Sequence, residues 1–134
     1  EFTALALANV YGPRQRPDGG VVAALRQAAQ ERRAPTVTGD GRQTRDFLFI
    51  DDAVDALAKA GSRGSGLVVN IGTGEQTSIN ALWAAVAGPD ATEPEYVAAP
   101  ATEIARFAVS PVRARIHLSW SPWTSLADGL ARTR

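Results

Sequence analysis

Apolar and polar positions fall in blocks along this chain, and the blocks alternate between strand-like and helix-like patterns. Phe2 to Asn9 is an apolar run suited to a buried strand. Tyr11-Gly12-Pro13 breaks it, and a polar loop continues to Gly20. From Val21 to Arg33 the residues Val22, Leu25 and Ala29 share one face at helical spacing, and Pro35 stops that helix. Thr36 to Thr38 reads as a short strand, after which Asp40-Gly41 turns the chain. Phe47 to Ile50 is a second short strand, and Asp51 or Asp52 is placed to cap a helix from Ala53 to Ala60. A Gly/Ser-rich loop at 61–66 precedes an aliphatic strand from Leu67 to Ile71. Gly72-Thr73-Gly74 then turns, and Ser78 caps a helix from Ile79 to Ala87. A strand near Glu95 to Ala99 follows, and a further one is expected near Ile104 to Val109. Ser110-Pro111 reads as a cap and first-turn proline for a helix to about Leu118, and Ser125 with Asp128 forms a capping box for the last helix. Strands alternating with helices predict an α/β fold, and no internal repeat is visible.

Composition narrows the function classes. At 134 residues the chain is one domain's worth, and with 45% apolar residues it has enough to bury a core. Fourteen acids balance fourteen bases, so charge gives no reason to expect nucleic acid or an anionic membrane as partner. There is no cysteine, which excludes disulfides and thiolate metal sites here and fits a reducing, cytoplasmic setting. No run approaches the length of a membrane-spanning helix, and no secretory signal is seen. The sequence has no methionine and starts with Glu1 followed by an apolar run, so it reads as a piece of a longer protein.

The richest stretch is Gly39 to Asp52. An Asp-Gly turn leads into Gln43-Thr44-Arg45, then an apolar run, then two acids. Arg45 stands where the chain enters a strand. A guanidinium fixed by backbone on both sides suits an anion such as a diphosphate. The other reading of Arg45 is a surface pairing with Asp46 or Asp40, which would be worth little.

Four motifs occur in one order. They are Asn9-Val10-Tyr11-Gly12-Pro13-Arg14-Gln15, then Gly39-Asp40-Gly41 with Arg45-Asp46-Phe47 and Asp51-Asp52, then Asn70-Ile71-Gly72-Thr73-Gly74, then Trp120-Ser121-Pro122 with Leu126 and Gly129-Leu130. Together they resemble the C-terminal half of the NAD-dependent epimerase/dehydratase family, the extended short-chain dehydrogenases, with UDP-glucose and UDP-glucuronate 4-epimerase-like members most similar. The resemblance implies the substrate-binding part of a two-domain enzyme, with elements that complete its Rossmann-type domain. No Gly-rich dinucleotide turn is present, because Gly72-Thr73-Gly74 lacks a third glycine and its acidic partner. No Tyr-x-x-x-Lys pair is present either, since neither Tyr11 nor Tyr96 has a lysine four residues on. No catalytic or metal-ligating residue is therefore assigned within this chain, and both features are expected upstream of Glu1.

The resemblance also implies roles for individual residues. Asn9 matches an Asn that contacts the diphosphate region, although an Asn that bonds its own turn is the competing reading. Arg45 matches the arginine that grips the diphosphate. Glu103 matches an acid that accepts from the ribose hydroxyls, or is an ordinary exposed Glu. Val21 and Val22 start a helix whose backbone amides can face a ligand, with plain core packing as the alternative. Val10 is expected near the nicotinamide. Three positions depart from the pattern. Pro100 stands where a second phosphate-binding arginine is usual, with Arg106 nearby out of register. Thr38 replaces an aromatic beside the base, and Ala6 replaces an arginine.

The remaining candidates read as structural. His117 is a surface residue without a partner in sequence. Trp83, Trp120 and Trp123 read as core or interdomain packing. Asp51-Asp52 point apart on a helix and serve as a cap rather than a paired-carboxylate site. Ser119 stands where relatives often end a helix with Gly, which weakens that C-cap.

The expected function is the nucleotide-sugar-binding portion of an NAD-dependent UDP-hexose 4-epimerase, homodimeric when complete and acting on a UDP-sugar. A nucleotide-sugar 4,6-dehydratase is the alternative within enzymes. A non-catalytic nucleotide-sugar-binding or interaction module is the alternative outside them, motivated by Pro100, Thr38 and Ala6.

Overall fold

The structure is a computed structural model and describes residues 2–133. In chain order the elements are β1 (Thr3–Leu7), β2 (Asn9–Tyr11), α1 (Val21–Gln30), β3 (Thr36–Thr38), β4 (Thr44–Arg45), β5 (Phe47–Phe49), α2 (Ile50–Ala60), β6 (Leu67–Ile71), β7 (Thr77–Ser78), α3 (Ile79–Ala87), β8 (Glu95–Val97), α4 (Val112–Leu118) and α5 (Leu126–Arg132). A single 3-10 turn at Gly88–Asp90 follows α3. Three strand pairs are parallel: β1 with β6, β2 with β5 and β3 with β8. The pair β4 and β7 is antiparallel. Parallel pairs joined through helices are the α/β arrangement expected from the alternation of elements.

Strand β5 organises the interior. All three of its residues are buried, and the period of two sends them to opposite sides. Phe47 and Phe49 join Tyr11, Val22, Leu25, Leu82 and Trp83 in one core, against α1 and α3. Leu48 joins Val69, Ile71, Leu118 and Trp120 in the other, against β6 and α4. Truncating the fully buried Leu48 to Ala should therefore cost about 2–5 kcal/mol.

Several elements fall where the sequence pattern puts them. Strands β3 and β6 match their expected bounds, and Ser78 caps α3 by accepting from the Ala81 amide at 3.1 Å. Ser125 accepts from the Asp128 amide at 3.1 Å, the N-cap half of the expected capping box, but the Asp128 carboxylate accepts from the Ser125 hydroxyl at 2.6 Å rather than from its backbone amide. Ser119 takes the left-handed conformation, φ 51°, that a glycine would adopt without strain.

Others need correction. The run from Phe2 is two strands, not one buried strand. Ala8 separates them, β1 pairs with β6 while β2 crosses to β5, and Phe2 and Leu7 are exposed. Asn9 consequently begins a strand rather than ending one. Helix α1 stops at Gln30, ahead of Pro35, where Arg32 turns into the left-handed region at φ 54°. Helix α2 starts at Ile50, and its cap position is Phe49, with no side-chain cap. Neither Asp51 nor Asp52 caps it. Near Ile104–Val109 there is only an isolated bridge between Thr44 and Arg106, not a strand. Pro111 occupies the cap position of α4 rather than its first turn.

Candidate functional site

A cleft of about 520 Å³ opens between one face of α1 and the strands β3 and β4. Val21, Ala24 and Leu25 line it from the helix, and Pro35 to Thr38 line it from β3. Asn9, Gln43, Arg45 and Glu103 bring polar groups to the same space. Three of the sequence-derived candidates, Asn9, Arg45 and Glu103, thus meet although they lie far apart in the chain.

Arg45 and Glu103 meet directly. The Arg45 Nη2 donates to Glu103 Oε1 in a short charged hydrogen bond. Arg45 Nη1 donates to the Thr44 carbonyl at 2.8 Å and the Ile104 carbonyl at 2.6 Å. The pairing with Asp46 or Asp40 considered from sequence does not form. Asp40 accepts instead from the Arg42 amide at 2.9 Å and pairs with its guanidinium, which closes the turn. The second carboxylate oxygen of Glu103 accepts from the Thr38 hydroxyl at 3.4 Å. Both side chains of the pair remain about a fifth exposed, 20% for Arg45 and 23% for Glu103, so the pair faces the cleft without being sealed.

What holds Arg45 in place is the residue after it. Asp46 is completely buried. It accepts from the Thr73 amide at 2.9 Å, the Thr73 hydroxyl at 2.6 Å, the Gly74 amide at 3.0 Å and the Val109 amide at 3.2 Å. A buried carboxylate is tolerated because donors surround it. Gly72 must be glycine here, since a Cβ would stand 2.3 Å from Val109 and 2.6 Å from Asp46 Oδ2. The segment carrying Glu103 is also fixed through Thr44, whose amide donates to the Ala105 carbonyl at 3.0 Å and whose carbonyl accepts from Phe107 at 3.1 Å. Sequence reasoning missed Asp46. Its only signal was its place in the motif beside Arg45.

Asn9 bonds to its neighbouring strand: its Nδ2 donates to the Asp46 carbonyl at 3.1 Å. That leaves its amide oxygen and its second hydrogen for the cleft. Val22 lies in the core, 3% exposed, and its neighbour Val21 lines the main cleft. Both valines, with Asn9, Val10, Gly19 and Gly20, border a smaller hollow of about 190 Å³ beside the cleft. Gln15 braces this corner by donating to the Gly19 carbonyl at 2.9 Å, and among the described residues its Oε1 is the buried side-chain polar atom without a partner.

The acidic pair after β5 separates as two adjacent helical residues must. Asp52 is fully buried and accepts from the Trp123 and Thr124 amides, both at 3.0 Å, and from the Thr124 hydroxyl at 2.6 Å. Asp51 faces outward and pairs with Arg132. Trp83 and Trp120 are core residues, whereas Trp123 is 60% exposed and so is not part of the core of this chain. His117 is exposed. Tyr11 is no acid–base candidate. Burial first, then the charges of Asp52 and Asp128, push its hydroxyl up to about 12. Arg106 does not line the cleft, whose second cation is Arg33, a residue the sequence reading left unassigned. No group of three potential metal ligands occurs among the described residues, and none of their helices is long and apolar enough to cross a membrane.

The family model for the NAD dependent epimerase/dehydratase family matches residues 1–72, more than half of the chain. The chain belongs to this family. A UDP-glucose 4-epimerase of Mycolicibacterium smegmatis is 44% identical over 96% of this chain and 43% of its own length. A dTDP-glucose 4,6-dehydratase of Streptomyces griseus is 36% identical over 93% of this chain and 39% of its own. The solved structure of the UDP-glucose 4-epimerase from Thermotoga maritima with UDP-glucose superposes with a TM-score of 0.92 at 37% identity, covering 98% of this chain and 44% of that one. The chain therefore spans less than half the length of these epimerase/dehydratase relatives, and its fold is that of the corresponding part of an extended short-chain dehydrogenase.

Proposed function

We propose that this chain is the nucleotide-sugar-binding portion of an NAD-dependent sugar epimerase, of the UDP-hexose 4-epimerase type with transient oxidation at C4. The observation that carries the reading is the convergence of Asn9, Arg45 and Glu103 on one cleft, a cation, a carboxylate and an amide at the scale of a nucleotide diphosphate. The similarity to UDP-glucose 4-epimerases supports it. In this reading Arg45 and Asn9 hold the diphosphate and Glu103 accepts from the ribose hydroxyls. The hexose is held loosely, so that an oxidised sugar can turn over between its two faces.

The hollow beside Asn9 fits only a small part of a dinucleotide. Val10 and Phe47 give it an apolar side, which suits a nicotinamide ring, and its volume of about 190 Å³ is too small for the remainder. NAD, when bound, accepts and returns the hydride, and most of it is held by residues outside this chain. The chain by itself is then inactive, and the complete enzyme is a cytoplasmic homodimer. The test is interconversion of UDP-glucose and UDP-galactose by the full-length protein, beside the isolated chain. Turnover by the isolated chain would refute the division of labour, and absence of turnover by the full-length protein would refute the reaction.

The similarity to a dTDP-glucose 4,6-dehydratase favours a second reading, in which the same cleft serves a 4,6-dehydratase. The two share the first oxidation and part at the product: a 4-epimer in one case, a 4-keto-6-deoxy sugar in the other.

A further inference from the structure

Arg45, the cation assigned to the diphosphate, is already engaged by an anion. Its Nη2 donates to Glu103, and its Nη1 is taken up by the Thr44 and Ile104 carbonyls. Glu103 in turn has both carboxylate oxygens bonded, one to Arg45 and the other to the Thr38 hydroxyl at 3.4 Å. With each side chain about a fifth exposed, neither group is freely solvated in place of its partner. A ligand that takes Arg45 away from Glu103 therefore leaves a half-buried carboxylate short of a donor, which is costly.

Resting on the nucleotide-sugar reading above, we infer that Glu103 is a specificity-determining residue that shields Arg45 from anions lacking a vicinal diol. Inorganic pyrophosphate offers oxygens to Arg45 and only further negative charge to Glu103. It gains one partner and strands the other. A nucleoside diphosphate offers phosphate oxygens to Arg45 and two ribose hydroxyls to Glu103, so both halves of the broken pair are satisfied. The cleft selects by penalising the wrong ligand as well as by attracting the right one. Thr38 contributes, because its hydroxyl keeps the carboxylate turned toward the cleft wall between ligands.

One variant should move the affinities of two ligands in opposite directions. Glu103→Gln removes the charge while keeping the shape. By calorimetric titration of the full-length protein, Glu103→Gln should bind inorganic pyrophosphate about fivefold more tightly than wild type, because the competing ion pair is gone. The same variant should bind UDP about tenfold more weakly, because a charged acceptor for the ribose is lost. Glu103→Ala should show the same two signs, which guards against a folding artefact peculiar to one substitution. Arg45→Ala should abolish the gain for pyrophosphate in either background. If pyrophosphate and UDP both weaken in Glu103→Gln, the carboxylate merely positions Arg45 and the shielding role is wrong. If pyrophosphate is unchanged while UDP weakens, shielding is also refuted, though the ribose contact survives. If wild type binds neither UDP nor a UDP-sugar, the nucleotide-sugar reading itself fails and takes this inference with it.

Discussion

Two carboxylates in this molecule gather distant segments of chain, and they do so in different ways. Asp52 is sealed, and the donors on it are two amides and a hydroxyl of residues 123 and 124. Glu103 stands at the edge of a cleft of about 520 Å³, and its partners are side chains, Arg45 and Thr38. The first site has donors on both oxygens and no access from solvent, so its whole effect is on the fold. The second has partners that can be exchanged and a space beside them. A carboxylate bonded to backbone amides in the interior serves the fold, whereas one bonded to side chains at a cavity wall has partners that a ligand would have to replace. Arg45 and Asp46 repeat the contrast in adjacent residues, one facing the cleft and the other completely buried.

The largest expected effect breaks the sealed site. Asp52→Ala removes three hydrogen bonds to a charged acceptor and leaves two amides without a partner. It should destabilise the full-length protein by about 3 kcal/mol in urea unfolding, with affinity for UDP unchanged in the folded fraction. Next comes the cleft. Arg45→Ala should weaken UDP binding about tenfold to a hundredfold, the equivalent of roughly 1.5–3 kcal/mol, with the fold retained and a stability loss of about 1 kcal/mol because Glu103 loses a donor. Arg45→Lys should recover only part of that affinity, since a point charge does not reproduce the planar fork. A smaller effect comes from Ser125→Ala, which removes the cap of α5 and should cost about 1 kcal/mol, read in the same unfolding assay.

The last effect is silent at neutral pH and appears only in alkali. Tyr11 is raised from 10.0 to about 12 in the folded chain, so the folded state keeps a proton that the unfolded state loses first. Its contribution is complete below about pH 10. It should be lost as pH rises through about 12, and stability should fall across that interval. Tyr11→Phe should flatten this alkaline slope in urea midpoints measured from neutral to alkaline pH.

What was legible in the sequence follows the range of the interactions. Ser78 and Ser125 cap their helices through contacts three residues long, and both were visible as local patterns. The aliphatic run of β6 was equally plain. The division of residues 2–11 into two strands was not legible, because it depends on β1 and β2 finding different partners, residues 67–71 and 47–49. The cap assigned to Asp51 or Asp52 failed for a related reason. The donors that claim Asp52 lie 71 and 72 residues away. In the cleft, resemblance singled out Arg45 and Glu103 separately, but that they bond to each other across 58 residues is a product of the fold. Asp46, which ties Arg45 to the turn after β6 and to Val109, carried no pattern of its own.

The central claim is that the Arg45 cleft, and not the sealed acid site, is where a nucleotide diphosphate acts on this protein. The most direct measurement is the stabilisation of the full-length protein by UDP, taken from urea unfolding of wild type, Asp52→Ala and Arg45→Ala at one ligand concentration. At about 100 times the wild-type dissociation constant, UDP should add about 2.7 kcal/mol to wild type and nearly the same to Asp52→Ala, despite its lower starting stability. In Arg45→Ala the gain should shrink to between about 1.4 and about 0.4 kcal/mol. An undiminished gain in Arg45→Ala, or a gain lost in Asp52→Ala alone, would contradict the account.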